Sequence, residues 1–263
     1  MAEASGDGRV PGVFWPSIPR LAREGASALR MATVPVDRFR RRAPVPAYRV
    51  PALLIPGYMA GDWTMARMER MLHARGHPTM RARIGMNVGC TMELVERLEE
   101  RLETFVTHRD RRVAVVGWSR GGMLGKLLTL RRPDLVAGLV TLASPTVHPL
   151  AVNRFLNLHL RTLTRLNAVG ARMVLGADCV DGDCARQVRE TMEQQFPAGL
   201  PFTAFYSKTD GVVDWRACCD RDADCVEVKA THVQMGANAG VIALVVSVLD
   251  AMDGEPAAVC ATA

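Results

Sequence analysis

Two four-residue stretches, Ala52-Leu53-Leu54-Ile55 and Val113-Ala114-Val115-Val116, are apolar at every position. They are too short for helices and lack the alternation of a strand with one wet face, so they read as strands buried on both sides. Such strands need helices above and below the sheet, and the intervening segments supply them. Residues 62–75 carry Met65, Met68, Met71 and Leu72 at helical spacing, closed by Gly76. Thr91 is the expected cap of a helix that presents Leu94, Leu98, Leu102 and Phe105 on one face. Further strands are expected at Thr79–Ile84, Leu139–Leu142, Phe202–Tyr206 and Val226–Val228, with helices over Met123–Leu130 and Asn238–Met252. Strand and helix alternate, which gives an α/β class with a mostly parallel central sheet and helices on both faces. Several dinucleotide- and flavin-binding folds share this pattern, so it does not by itself assign a function.

The pattern occupies residues 51–255 of the 263, and reads as one domain. Residues 1–50 form a Pro- and Arg-rich extension with one expected helix around Leu21–Met31; residues 146–200 read as a cap-like insertion and 256–263 as a tail. The extension has nine Arg and four acids, so it holds most of the net charge of +6. With aromatics at only 5%, base-stacking platforms are not expected, and nucleic acid is excluded as a partner. A basic arm can touch an anionic membrane surface, so weak peripheral membrane association is an expectation. Phe14 and Trp15 are expected to dock on the core and Arg40–Arg42 to stay exposed. Deleting residues 1–44 would change kcat/KM only a few-fold if they form a free arm, but would leave an insoluble or lower-melting protein if they dock. The longest apolar run, Ala239–Leu249, falls short of the ~20 residues that span a bilayer. No apolar leader is evident, and a cytoplasmic location is expected.

Chemistry is concentrated at Gly117-Trp118-Ser119-Arg120-Gly121, a G-x-S-x-G set between an apolar strand and a helix. Glycines on either side permit a turn tight enough to project the Ser119 oxygen above the sheet as a nucleophile. The turn also aims the Arg120 backbone N–H at a developing oxyanion. A phosphate loop anchored on Gly125-Lys126 fails, because Arg120 and Leu127 stand where Gly and Ser/Thr are required. A serine nucleophile on this scaffold is followed in the chain by an acid and then a histidine. Of the six histidines, His232 alone lies after a late strand and before the last helix. Asp210, in Ser207-Lys208-Thr209-Asp210-Gly211, is the expected acid, with Gly211 permitting its turn and Asp214 as runner-up. The second oxyanion donor is expected after the first core strand, at the Tyr58 backbone N–H, with Met59 next. The Tyr58 ring can also wall the pocket.

These segments resemble the bacterial α/β-hydrolases of the esterase/lipase type. The matching stretches are Leu54–Asp62, Gly85-x-Asn87-x-Gly89, Gly117–Gly122, Ser207-x-x-Asp210-Gly211-Val212-Val213 and Thr231-His232-Val233-x-Met235, in family order over about residues 50–250. The resemblance implies a serine hydrolase that cleaves carboxylic esters through an acyl-enzyme on Ser119, without a cofactor. Its substrate would be a small ester or lipid-like molecule. Cys90 stands where the family usually has proline, and Arg120 where a small or apolar residue is common. The Arg120 side chain is expected to reach solvent or pair with an acid; an anionic substrate group is the other reading. Amide, thioester or polyester hydrolysis, or a non-catalytic binding protein on the same scaffold, are the alternative functions.

Seven cysteines include the clusters Cys179/Cys184, whose four-residue gap fits a zinc pair, and Cys218/Cys219/Cys225, whose irregular spacing does not complete the template, so partly buried reduced thiols are expected. Asp220-x-Asp222-x-Asp224 lacks the glycine and glutamate of an EF-hand. Asp178–Cys184 reads as a solvated turn, and no metal is expected. Oligomeric state is open.

Overall fold

The computed structural model describes residues 12–33, 49–168 and 175–253. Its elements follow in the order α1 (Ile18–Thr33), β1 (Ala52–Ile55), a 3-10 turn (Asp62–Met65), α2 (Ala66–Ala74), β2 (Thr79–Arg81), α3 (Thr91–Arg109), β3 (Val113–Trp118) and α4 (Arg120–Arg131). After these come β4 (Val136–Leu142), α5 (Arg154–Ala168), α6 (Asp178–Asp181), α7 (Asp183–Met192), β5 (Phe202–Tyr206), a 3-10 turn (Trp215–Cys218), β6 (Asp224–Glu227) and α8 (Ala239–Met252). The strands form one sheet in the order β2-β1-β3-β4-β5-β6, every pair parallel.

Alternate residues of each inner strand serve opposite faces. Leu54, Val116, Val140 and Phe205 point to a core shared with α2 and α8. Leu53, Val115, Leu139 and Ala204 point to a second core built with α3, α4 and α7. That double covering is why β1 and β3 are apolar at every position. At ~25 cal/mol per Å² of apolar area removed from water, these two layers supply the main favourable contribution to folding. No helix among the described residues is long and apolar enough to cross a membrane.

Three local expectations shift. β2 stops at Arg81, two residues before Arg83 takes a left-handed φ of 58° that a continuing strand cannot use. α3 is preceded by Cys90, not Thr91, as its cap residue, and no side chain caps it. The Asp178–Cys184 stretch is not a solvated turn but the junction of α6 and α7, where the Asp178 carboxylate accepts the N–H groups of Asp183 and Cys184.

The 146–200 region contributes to the core as well as to the surface. Val188 and Met192 of α7, with Phe196 after it, belong to the second core. α5 lies outside it, with Phe155 and Leu158 exposed. A buried ion pair, Lys126 Nζ to Asp220 Oδ2 at 2.6 Å, fixes α4 to the loop before β6, and Lys126 also donates to Met192 O. Asp220, considered above as the start of a calcium loop, is thus matched by a lysine.

The chain leaves β1 towards β2 and returns across it to β3, so the topological switch lies between β1 and β3. Open α/β sheets bind ligands outside the carboxyl ends of the strands at such a point.

Candidate functional site

Ser119 sits directly beyond the carboxyl end of β3, at φ 54° and ψ −124°. A serine in that region is strained, by roughly 1–3 kcal/mol, and persists only where its surroundings determine it. Here they do. Ser119 N donates to Leu142 O and Gly122 N donates to Ser119 O. A Cβ at Gly117 would lie 2.4 Å from Gly121 O, and one at Gly121 would lie 2.2 Å from Ile55 O. Both glycines are therefore required for α4 to start against the strand ends.

The structure brings the three expected side chains together. His232 Nε2 is 2.9 Å from Ser119 Oγ, and His232 Nδ1 is 2.7 Å from Asp210 Oδ2. All three are buried. The other Asp210 oxygen accepts the backbone N–H groups of Val212 and Val213 at 2.7 and 2.9 Å. Asp214 is turned elsewhere: it caps the following 3-10 turn through Arg216 N and pairs with the Arg216 guanidinium. Burial disfavours charge on the His232 ring, but the Asp210 charge and hydrogen bond, helped by Glu24, outweigh it and raise its pKa above the ordinary 6.5.

Glu24 is the group that sequence reading missed. It lies on α1 within the basic extension, yet it is buried. One carboxylate oxygen accepts Gly211 N at 3.2 Å and His232 N at 2.8 Å; the other accepts Val233 N at 3.0 Å. The loops carrying the acid and the histidine are thus pinned by one carboxylate. Ser27, one turn on, meets Thr231 Oγ1 at 3.0 Å. Gly211 does not adopt positive φ; a Cβ there would come within 3.1 Å of Glu24 Cγ, so the glycine makes room for α1. Only the i, i+3 pairing of Glu24 with Ser27 on an amphipathic helix hinted at this. Phe14 bridges Asn153, whereas Trp15 is two-thirds exposed and rests edge-on against Phe155. Arg40–Arg42 lie outside the described residues.

Opposite the serine, the loop after β1 is knitted to the Gly85–Gly89 loop through Asn87. Its side-chain amide donates to Pro56 O at 2.8 Å, its backbone N–H to Ala60 O, and its carbonyl accepts Met59 N. Met59 N–H is thereby taken, whereas the Tyr58 N–H has no backbone acceptor among the described residues. Gly57 lets this loop approach, since a Cβ there would be 3.2 Å from Ser119 Cβ.

The Arg120 side chain departs from expectation. It does not reach solvent, and it pairs with no acid among the described residues. It is buried and donates to Asn87 Oδ1 at 2.7 Å, Gly89 O at 2.6 Å and Thr91 Oγ1 at 3.1 Å, all neutral acceptors. Burial pulls its pKa down to about 10, which still leaves it cationic at neutral pH. Its grip on Asn87 ties the start of α4 to the loop that carries Tyr58.

Ser119 opens into a cavity of about 340 Å³. Tyr58 and Arg120 are among its lining residues, together with apolar Leu150, Leu156 and Leu160. The cavity matches small-molecule sites in size and character, mostly apolar with few polar groups.

No protein-family model and no curated protein matches the sequence. Solved structures do match in shape. The mature form of a Bacillus licheniformis lipase superposes with a TM-score of 0.60 at 13% identity, covering 79% of this chain and 96% of that one. A soluble variant of Saccharomyces cerevisiae monoglyceride lipase, in complex with a substrate analogue, gives 0.54 at 15% identity, covering 80% and 89%. Mouse alpha/beta hydrolase domain-containing protein 10 gives 0.52 at 19%, covering 77% and 88%. With the parallel sheet and the serine turn at its switch point, the chain has the α/β-hydrolase fold.

Proposed function

We propose that this protein is a serine hydrolase of carboxylic esters with an apolar acyl portion. The observation that carries the reading is the continuous relay from Ser119 Oγ through His232 to Asp210, at 2.9 and 2.7 Å, on a strained turn at an apolar cavity. Its resemblance in shape to lipases supports the same reading. Asp210 keeps the ring proton on Nδ1, so that Nε2 takes the proton of Ser119 as the oxygen attacks the acyl carbon. The negative charge that develops on the carbonyl oxygen falls to the backbone N–H groups of Arg120 and Tyr58. Collapse breaks the ester bond, and the imidazolium returns the proton to the departing alcohol. Water, deprotonated by His232, then cleaves the acyl-enzyme to the carboxylic acid.

The test is a fluorophosphonate probe followed by peptide mass mapping. Stoichiometric labelling at Ser119, blocked by prior incubation with a p-nitrophenyl acyl ester, is expected. Folded protein that stays unlabelled would make it a binding protein on a hydrolase scaffold.

A further inference from the structure

Three thiols from two distant parts of the chain meet beside the cavity. The Sγ atoms of Cys90, before α3, Cys179, in α6, and Cys184, in α7, all lie within 4.8 Å of one another. Cys90 and Cys184 are 3.7 Å apart. Zinc–thiolate bonds of about 2.3 Å in a tetrahedron place sulfurs about 3.8 Å apart, so this spacing needs little adjustment. Sequence spacing could not reveal the group, because Cys90 is 94 residues from Cys184.

Charge points the same way. Three thiolates around a divalent ion carry one net negative charge, and a buried anion requires a counter-charge. Arg120 is a buried cation that makes no ion pair with a carboxylate among the described residues. Cys179, Cys90 and Cys184 are among the groups acting on it electrostatically. The supporting backbone is already ordered: Asp178 accepts the Cys184 N–H, and Arg120 donates to Gly89 O, next to Cys90. The other cluster of potential ligands, His77, Asp250 and Asp253, differs in this respect, because Arg49, Arg75 and Arg111 already occupy its carboxylates. A disulfide would use two of the three thiols and leave both the third and the arginine unexplained.

We propose that Cys90, Cys179 and Cys184 form a three-thiolate site for a thiophilic divalent ion, with Zn²⁺ the best fit and Arg120 its counter-charge. Binding exchanges three thiol protons for the metal and leaves one tetrahedral position for solvent. The ion clamps α6 and α7, which form a wall of the cavity, to the loop that Arg120 holds. This site is independent of the hydrolase reading.

The experiment uses the full chain, reduced and stripped of metal without oxygen, titrated with Co²⁺ and then Zn²⁺. One Co²⁺ per chain is expected, with thiolate-to-cobalt charge-transfer absorption and tetrahedral d–d bands that Zn²⁺ abolishes. Cys90→Ser and Cys184→Ser should lose the bands, whereas Cys225→Ser should keep them. Arg120→Gln should weaken Zn²⁺ by about 10–100-fold, as loss of an outer-shell partner does. Should the serine variants fail to fold, alkylation of wild-type protein decides: Zn²⁺ must protect Cys90, Cys179 and Cys184. Absence of cobalt bands at micromolar metal, protection confined to other cysteines, or a Cys90–Cys184 disulfide persisting through anaerobic reduction would each overturn the proposal.

Discussion

The two halves of the candidate site are positioned by different means. Ser119 is held by its immediate surroundings: Gly117, Gly121, the end of β3 and the strands beside it. Asp210 and His232 stand on loops after β5 and before α8, and both loops are fastened, through Gly211 N and His232 N, to Glu24, which is 208 residues from His232 in the chain. One half is rigid because the backbone has no other way to turn. The other is rigid because a distant carboxylate satisfies its amides. Removing the Ser119 hydroxyl should therefore change chemistry with little effect on folding, whereas variants at Glu24 should change both.

The largest effect is expected at Ser119. Ser119→Ala should lower kcat on a short p-nitrophenyl ester by about 10⁴–10⁶-fold while the melting temperature hardly moves. A variant that keeps its activity would remove the serine half from the comparison altogether.

Next is the acid. Asp210→Asn should cost around 10⁴ in kcat by disturbing the His232 tautomer. Asp214→Asn loses only a turn cap and an ion pair with Arg216, and should cost far less activity. Equal losses would mean that Asp214 also serves the histidine.

The third test strikes at the contrast itself. Glu24→Ala leaves three loop N–H groups without their acceptor. Hydrogen bonds to charged groups are worth about 1.5–3 kcal/mol each, and water recovers part of this, so a net loss of about 3 kcal/mol is expected from urea unfolding. Misplacement of His232 should also lower kcat/KM, by up to about 10²-fold. Removing residues 1–33 should do the same, contrary to the few-fold change expected of a free arm. If both variants keep full stability and activity, the two halves are equally self-supporting.

What could be read from the sequence follows the same division. The strands β1 and β5 carry their limits in consecutive residues, and the G-x-S-x-G turn is local, so each was legible. That Asp210 and His232 would meet beside Ser119 was legible from the chain order expected on this scaffold. Glu24 was not, since a glutamate among the nine arginines of the extension looks like a surface charge until the fold brings it to Gly211. Arg120 was misread for a related reason: its acceptors, Asn87, Gly89 and Thr91, are neutral, and no charge pattern points to them.

The smallest effect separates the electrostatic role of Glu24 from its structural one. His232 must be neutral to accept the Ser119 proton, so kcat/KM should fall as pH drops through its pKa, which lies above 6.5. The Glu24 charge is one of the causes that raise it. Glu24→Gln retains an oxygen that can accept Gly211 and His232 N–H but removes the charge, so the acid limb of the profile should move to lower pH. The sign on stability follows from linkage. A raised folded-state pKa means that charge attraction to His232 stabilises the fold at pH below the unfolded value and is lost as pH rises through the folded one. The electrostatic part of the Glu24→Gln penalty should therefore shrink towards alkaline pH, while the part due to the Val233 N–H, which would face an amide NH₂, persists. An acid limb that stays in place, with a penalty independent of pH, would reduce Glu24 to a purely structural anchor and leave Asp210 as the only charge that tunes the histidine.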